Sequence, residues 1–281
     1  MDKNLIIFDN HLHLRRNGRF IEAVKDFKKA GGTHLILCQY PMPELVIKEK
    51  SYKPAYKETL DMANEIRKKV DIGIFITVGP YPVDYLSLIK HFDRKKTIEI
   101  MKKGIDEAAN LINENKVVGI GEIGRPHFTV DEKIIRDSNE ILSYAMKIAS
   151  EINSPVILHT ESTTAKQCKE LVEMGRKEGL AADKIVKHYS PPLILSQENF
   201  GLVPSVLASK KNILNAAKKG TRFMMETDYI DDPRRPGAVL GPKTVPKRSF
   251  ELLEKNILSE SELNIIHKII PEKTYGIELK A

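Results

Sequence analysis

The sequence predicts a (β/α)8 TIM-like barrel, and three observations predict it. Short Val/Ile/Leu-rich runs alternate with amphipathic stretches along the whole chain, the pattern of parallel strands covered by helices. Eight such units fit into 281 residues, close to the roughly 250 typical of this barrel. No Gly-x-Gly-x-x-Gly follows the first apolar run, which counts against an open dinucleotide-binding sheet. We read residues 1–281 as one domain.

The elements follow in order. Leu5-Ile6-Ile7-Phe8 is a short apolar run leading into Asp9-Asn10-His11-Leu12-His13, and reads as a buried first strand. Residues 18–30 carry Phe20, Ile21, Val24 and Phe27 at helical spacing, stopped by Gly31-Gly32. Residues 33–38 form a second strand, 56–70 a helix, and 71–79 a third strand. Two helices are expected between 82 and 115, the second over 96–113. A fourth strand over 117–122 precedes a long helix over 131–152. The fifth strand (155–159) leads to a helix over 164–179. The sixth spans 184–188, and the seventh 201–208, weakened by Pro204. A helix over 210–219, an eighth strand over 222–228 and closing helices over 245–270 complete the set.

Composition sets bounds on function. At 41% hydrophobic and 30% charged residues, the chain suits a soluble globular protein. Cys38 and Cys168 lie far apart, so no disulfide scaffold is expected and a reducing compartment is. The first apolar run is too short for a signal peptide or a membrane span. The expectation is a cytoplasmic protein with no membrane partner. The net charge of +7 favours an anionic partner. Its lysines are dispersed, and with no Trp and 6% aromatics an extended base-stacking platform is not expected.

Barrel chemistry sits at the C-terminal strand ends, so the residues that end each strand matter most. The first strand presents His11 and His13, spaced i, i+2 and therefore on one side. The fourth ends in Glu122, the fifth in His159, the sixth in His188 and the eighth in Asp228. Each has an ordinary structural role open to it. The histidines would be satisfied by backbone carbonyls, Glu122 would cap a loop, and Asp228 would open a turn. Jointly, four imidazoles and two carboxylates at one mouth exceed the needs of a single four-coordinate zinc. They fit two divalent metal ions (Zn, Mg or Mn) bridged by a carboxylate, the arrangement that activates water for displacement.

The order of these pieces resembles the TatD family of metal-dependent hydrolases, in the amidohydrolase superfamily. The resemblance runs from Phe8 to Pro271-Glu272-Lys273-Thr274-Tyr275-Gly276. Its most specific pieces are Asp9-Asn10-His11-Leu12-His13, Gly121-Glu122-Ile123-Gly124 and Glu226-Thr227-Asp228. It implies that His11, His13 and Asp228 hold one metal and that Glu122 bridges. It further implies that His159 and His188 serve the second metal, and that Asp228 also acts as general base. Because the fourth strand ends in Glu122, no carbamylated lysine is needed as a bridge. Glu226, on the parity of Asp228, reads as an interior residue that orients a histidine, and Asp9 as its counterpart at the first pair.

The family resemblance implies a deoxyribonuclease acting on DNA or another anionic phosphoester. Here the substrate loops depart from the pattern. Thr160-Glu161 stands where the family often has Ser-Arg, and Arg125-Pro126-His127 where it usually has Leu-Asp. Arg125 and His127 are the candidates for substrate phosphate contacts; the other role open to Arg125 is pairing with Glu161. Arg234, Arg235, Lys243 and Lys247 would form a basic rim or a solvated surface. Two further readings stay open. One is hydrolysis of a small amide, lactone or phosphate ester at the same metals. The other is metal-dependent nucleic-acid binding without turnover.

Overall fold

A computed structural model describes residues 5–280 apart from 236 and 238; residues 1–4, 236, 238 and 281 of the expected domain lie outside the described residues. Among the described residues nine strands form one parallel sheet: β1 Phe8–His13, β2 His34–Cys38, β3 Gly73–Val78, β4 Gly119–Gly124, β5 Val156–His159, β6 Ile185–Ser190, β7 Val203–Leu207, β8 Met224–Glu226 and β9 Tyr229–Ile230. They are bonded in the order β8-β7-β6-β5-β4-β3-β2-β1-β9. β8 and β9 are successive pieces of the eighth strand. The first bonds to β7 and the second to β1, through Leu12↔Tyr229 and His13↔Ile230. Between them the Asp228 N–H donates to the His11 carbonyl at 3.0 Å. The sheet thus curls into a (β/α)8 TIM-like barrel.

Among the described residues twelve α-helices surround it: α1 Ile21–Lys29, α2 Pro43–Glu49, α3 Lys53–Lys69, α4 Asp84–Leu88, α5 Arg94–Asn113, α6 Glu132–Glu151, α7 Ala165–Lys177, α8 Ser196–Asn199, α9 Lys210–Ala217, α10 Thr244–Glu254, α11 Glu260–Asn264 and α12 Ile270–Tyr275. The large core lies between strands and helices, where Leu35, Leu37 and Ile120 meet Phe27, Met101 and Leu142. A smaller cluster fills the lower barrel with Phe8, Ile36, Ile157, Val186, Val203 and Met224, closed by Tyr275. Among the described residues no helix is long and apolar enough to cross a membrane.

The sequence-predicted strands are all present, with shifted edges. The first begins at Phe8 rather than Leu5; Ile7 instead exchanges hydrogen bonds with Thr33. The short α2 was not expected, because it buries only Val46 and so shows no apolar period. Pro204 sits inside β7, and the β6–β7 ladder shifts register just beyond it, between Lys187 and Ser190. Two similar shifts occur, between Asp9 and Leu12 in β1 and between Gly121 and Ile123 in β4. Such bulges bend a strand and re-aim its side chains. The three bracket His11, Glu122 and His188.

One buried carboxylate outside the strands bears on stability. Asp84 at the start of α4 is 2% exposed and accepts only the Tyr52 hydroxyl, at 3.3 Å. Burial pushes its pKa up to about 8, against about 3.9 for an unfolded aspartate. The unfolded chain therefore releases this proton first, and stability falls as pH rises through that window. Asp84→Asn should match wild type near pH 4 and gain in Tm over it progressively up to about pH 8, in paired thermal melts across pH.

Candidate metal centre

The bulge in β1 brings both histidines to one spot, with His11 Nε2 and His13 Nε2 3.1 Å apart. Glu122 from β4 reaches all four strand-end imidazoles. Its oxygens lie 3.7 Å from His11 Nε2, 3.5 Å from His13 Nε2, 3.2 Å from His188 Nε2 and 2.9 Å from His159 Nδ1. Asp228 Oδ1 faces the first pair, at 3.9 and 4.0 Å. Its φ of +49° lies in the left-handed region, which Asp enters more readily than most residues. Two triads have ligand atoms all within 4.8 Å of one another: His11, His13 and Asp228, and His11, Glu122 and His188. His159 joins the group through Glu122.

The far nitrogens fix the rings. His13 Nδ1 faces the Gln39 carbonyl at 3.1 Å, so it carries the proton and leaves Nε2 free. His11 Nδ1 faces the Cys38 thiol at 3.1 Å. His188 Nδ1 faces Glu226 at 3.0 Å. His159 is reversed, with Nδ1 toward Glu122 and Nε2 2.9 Å from His127 Nδ1 and 3.4 Å from the Tyr81 hydroxyl. Glu226 does what its parity suggested, and it is itself anchored. It accepts from Tyr189 N at 2.7 Å and from the Ser205 hydroxyl. Ser205 accepts from Asn10 Nδ2 at 2.9 Å, and Asn10 Oδ1 accepts from the Tyr275 hydroxyl at 2.9 Å. A buried column of donors and acceptors therefore runs from α12 at the barrel floor to His188. Asp9 departs from expectation. It accepts from Thr227 N at 2.9 Å and Thr227 Oγ1 at 2.7 Å, locking β1 to the strand-8 turn rather than orienting a ring.

The electrostatics suit a cation. Burial lowers His11 to about 3 and also depresses His13 and His188, keeping these imidazoles neutral and their lone pairs available. Burial alone would raise Glu122, but the surrounding histidines, His159 foremost, outweigh it and hold the carboxylate ionised. Burial, then Glu122, pushes Asp228 up. Among the described residues no lysine or arginine lies within 4.0 Å of either carboxylate. Neutral nitrogen donors around uncompensated carboxylates are the donor chemistry of a divalent metal site, so the residues present fit the expected ions.

The group opens into a cavity of about 610 Å³, walled by Tyr40, Tyr81, His127, His159, Tyr189, Arg235 and others. His127 lies on this wall. Arg125 does not: it is 6% exposed and donates to Glu161 at 3.3 Å and Glu170 at 2.6 Å, beneath α7. The site residues not anticipated are Cys38, Gln39, Asn10, Ser205 and Tyr275. Asn10, between Asp9 and His11, and Tyr275, in the closing Pro271–Gly276 segment, lay in stretches the sequence singled out; Cys38, Gln39 and Ser205 did not.

Comparison with known proteins gives the family and the fold. The TatD related DNase family matches residues 8–276. An uncharacterised protein of Methanocaldococcus jannaschii is 36% identical over 99% of this chain and 98% of its own length. Among solved structures, the phosphotriesterase homology protein of Escherichia coli, complexed with phosphate in its active site, shares 13% identity at a TM-score of 0.61, covering 97% of this chain and 99% of that one. A TatD homologue of Escherichia coli shares 16% identity at a TM-score of 0.56, covering 96% and 98%. The chain belongs to the TatD related DNase family of metal-dependent hydrolases.

Proposed function

We propose that the chain is a divalent-metal-dependent phosphodiesterase whose substrate is single-stranded DNA. The observation that carries this reading is Glu122 in reach of all four strand-end histidines, with Asp228 beside them at the floor of an open cavity. His11, His13 and Asp228 would hold one ion, with His188 and His159 holding the second and Glu122 between them. Bound there, the ions would supply Lewis-acid polarisation and an activated water.

The chain's own groups provide the rest. Asp228 lines the cavity beside His11 and His13, where its carboxylate would take a proton from the attacking water. Glu226 and the Gln39 carbonyl hold His188 and His13 in the tautomer that leaves Nε2 free. His127 keeps a substrate-facing place beside His159. The cationic contact that Arg125 would have given passes to Arg235 on the cavity wall. The phosphate bound by the Escherichia coli phosphotriesterase homology protein supports a phosphoester substrate for a barrel of this shape.

With Mn added, the wild type should degrade an end-labelled single-stranded oligonucleotide. Asp228→Asn should lose at least about a hundredfold in rate, the contribution expected of a general base. Turnover of a lactone or small phosphate ester with no cutting of the strand would replace the substrate. Metal binding with turnover of neither would leave a non-catalytic binder. Glu226→Gln, which keeps shape but replaces the carboxyl group that backs His188 Nδ1 with an amide, should lower metal affinity roughly 10–100-fold, read by competition with a chromophoric chelator.

A further inference from the structure

Beside the metal cavity, three arginines converge on one carboxylate. Arg15 Nη1 lies 3.1 Å, Arg234 Nε 3.3 Å and Arg235 Nε 3.6 Å from Asp232, which is 5% exposed. Asp232 and the adjacent Asp231 set two carboxylates against three guanidinium groups, so this rim keeps a positive surplus. Asp232 also shapes the turn, because Arg234 N donates to Asp232 Oδ1 at 3.0 Å and Arg235 N to its carbonyl at 2.9 Å.

The base of this cluster is fixed. Asp231, 2% exposed, accepts from the backbone N–H groups of Arg15, Arg19 and Phe20 at 3.3, 2.8 and 2.8 Å. That clamps the loop after β1 to the turn after β9. Gly18 is needed there, since a Cβ would sit 2.4 Å from the Asp231 carboxylate. Arg15 stacks on the Tyr40 ring at 4.8 Å, which orients its guanidinium without neutralising it. Arg16 is held instead by Glu58 and Glu65, each at 2.6 Å.

A second cavity, of about 620 Å³, adjoins the first. The two share Tyr40 and Pro41 as a common wall. Arg235 lines the metal cavity, while Arg15 and Arg234 line its neighbour, with Glu44 on the wall of the latter. Arg15 follows His13 by two residues, so a strand crossing the shared wall from the metal cavity meets the arginines next.

We propose that Arg15, Arg234 and Arg235 form a second anion site that takes the strand phosphate next to the scissile one, making the substrate a strand rather than an isolated diester. The proposal rests on the phosphodiesterase reading above. Guanidinium forks suit phosphate oxygens, and Asp232 holds three of them together with charge to spare.

The test compares wild type with Arg15→Ala, Arg234→Ala and the double variant on two substrates. One is bis(4-nitrophenyl) phosphate, which fills only the metal cavity; the other is a ten-nucleotide thymidine strand. The ratio of strand to small-diester kcat/KM should fall roughly tenfold per arginine, chiefly through the strand KM, as for loss of a charged hydrogen bond. In EDTA, where nothing is cut, anisotropy should show weaker strand binding. The slope of log K against log salt should shrink by about 0.7 per lost contact. An unchanged ratio, or an equal fall on both substrates, overturns the proposal. If wild type hydrolyses neither substrate, the phosphodiesterase reading fails. Arginine-dependent, salt-dependent strand binding in EDTA would then still uphold the anion site, and its absence would overturn that too.

Discussion

Two carboxylates buried beside one another, with no lysine or arginine touching them, set the terms for the rest of the barrel mouth. A buried charge without a partner is costly. Burial keeps His11, His13 and His188 neutral, and His159 Nδ1, 2.9 Å from Glu122, offsets only one of the two carboxylates. A divalent cation would supply the compensation that remains. The three bulges, the left-handed turn at Asp228 and the acceptors behind the rings all aim donors at the place where that ion would sit.

The charge on the mouth is distributed unevenly. On the side of α7, Arg125 is spent on Glu161 and Glu170 and contributes structure. On the opposite side, Arg15, Arg234 and Arg235 share Asp232 and retain surplus charge. The aromatic walls differ too, with Tyr189 and Phe128 about half exposed beside the first side and Tyr40 stacked under Arg15 on the second. An elongated anionic ligand therefore meets one electropositive flank and one apolar flank.

Much of this was legible in the sequence, for a physical reason. A buried parallel strand is an apolar run, and its C-terminal end is where polarity returns, so His11, His13, Glu122, His159, His188 and Asp228 stand out by position. What the sequence hides is whatever breaks the two-residue period or spans the chain. Asn10 and His11 both reach the barrel interior, which an unbroken pleat forbids; the β1 bulge permits it, and no residue type announces that bulge. The fate of Arg125 turns on Glu170, 45 residues away, and that of Asp9 on Thr227, 218 residues away. The seven-residue α2 buries a single apolar side chain and leaves no period to read.

The column from Tyr275 to His188 carries a consequence in time. Tyr275 lies 265 residues beyond Asn10, its partner. At 5–20 residues per second, roughly 13–50 s of synthesis separate the two. His11 and His13 leave the ribosome long before Glu122, Asp228 and the floor of the barrel exist. Cys38 and Gln39, which back the two rings, follow early and Glu122 midway, whereas Asp228 and the floor of the barrel come last. The order of translation thereby delays assembly of the centre. The full donor set is therefore complete only once the last elements dock.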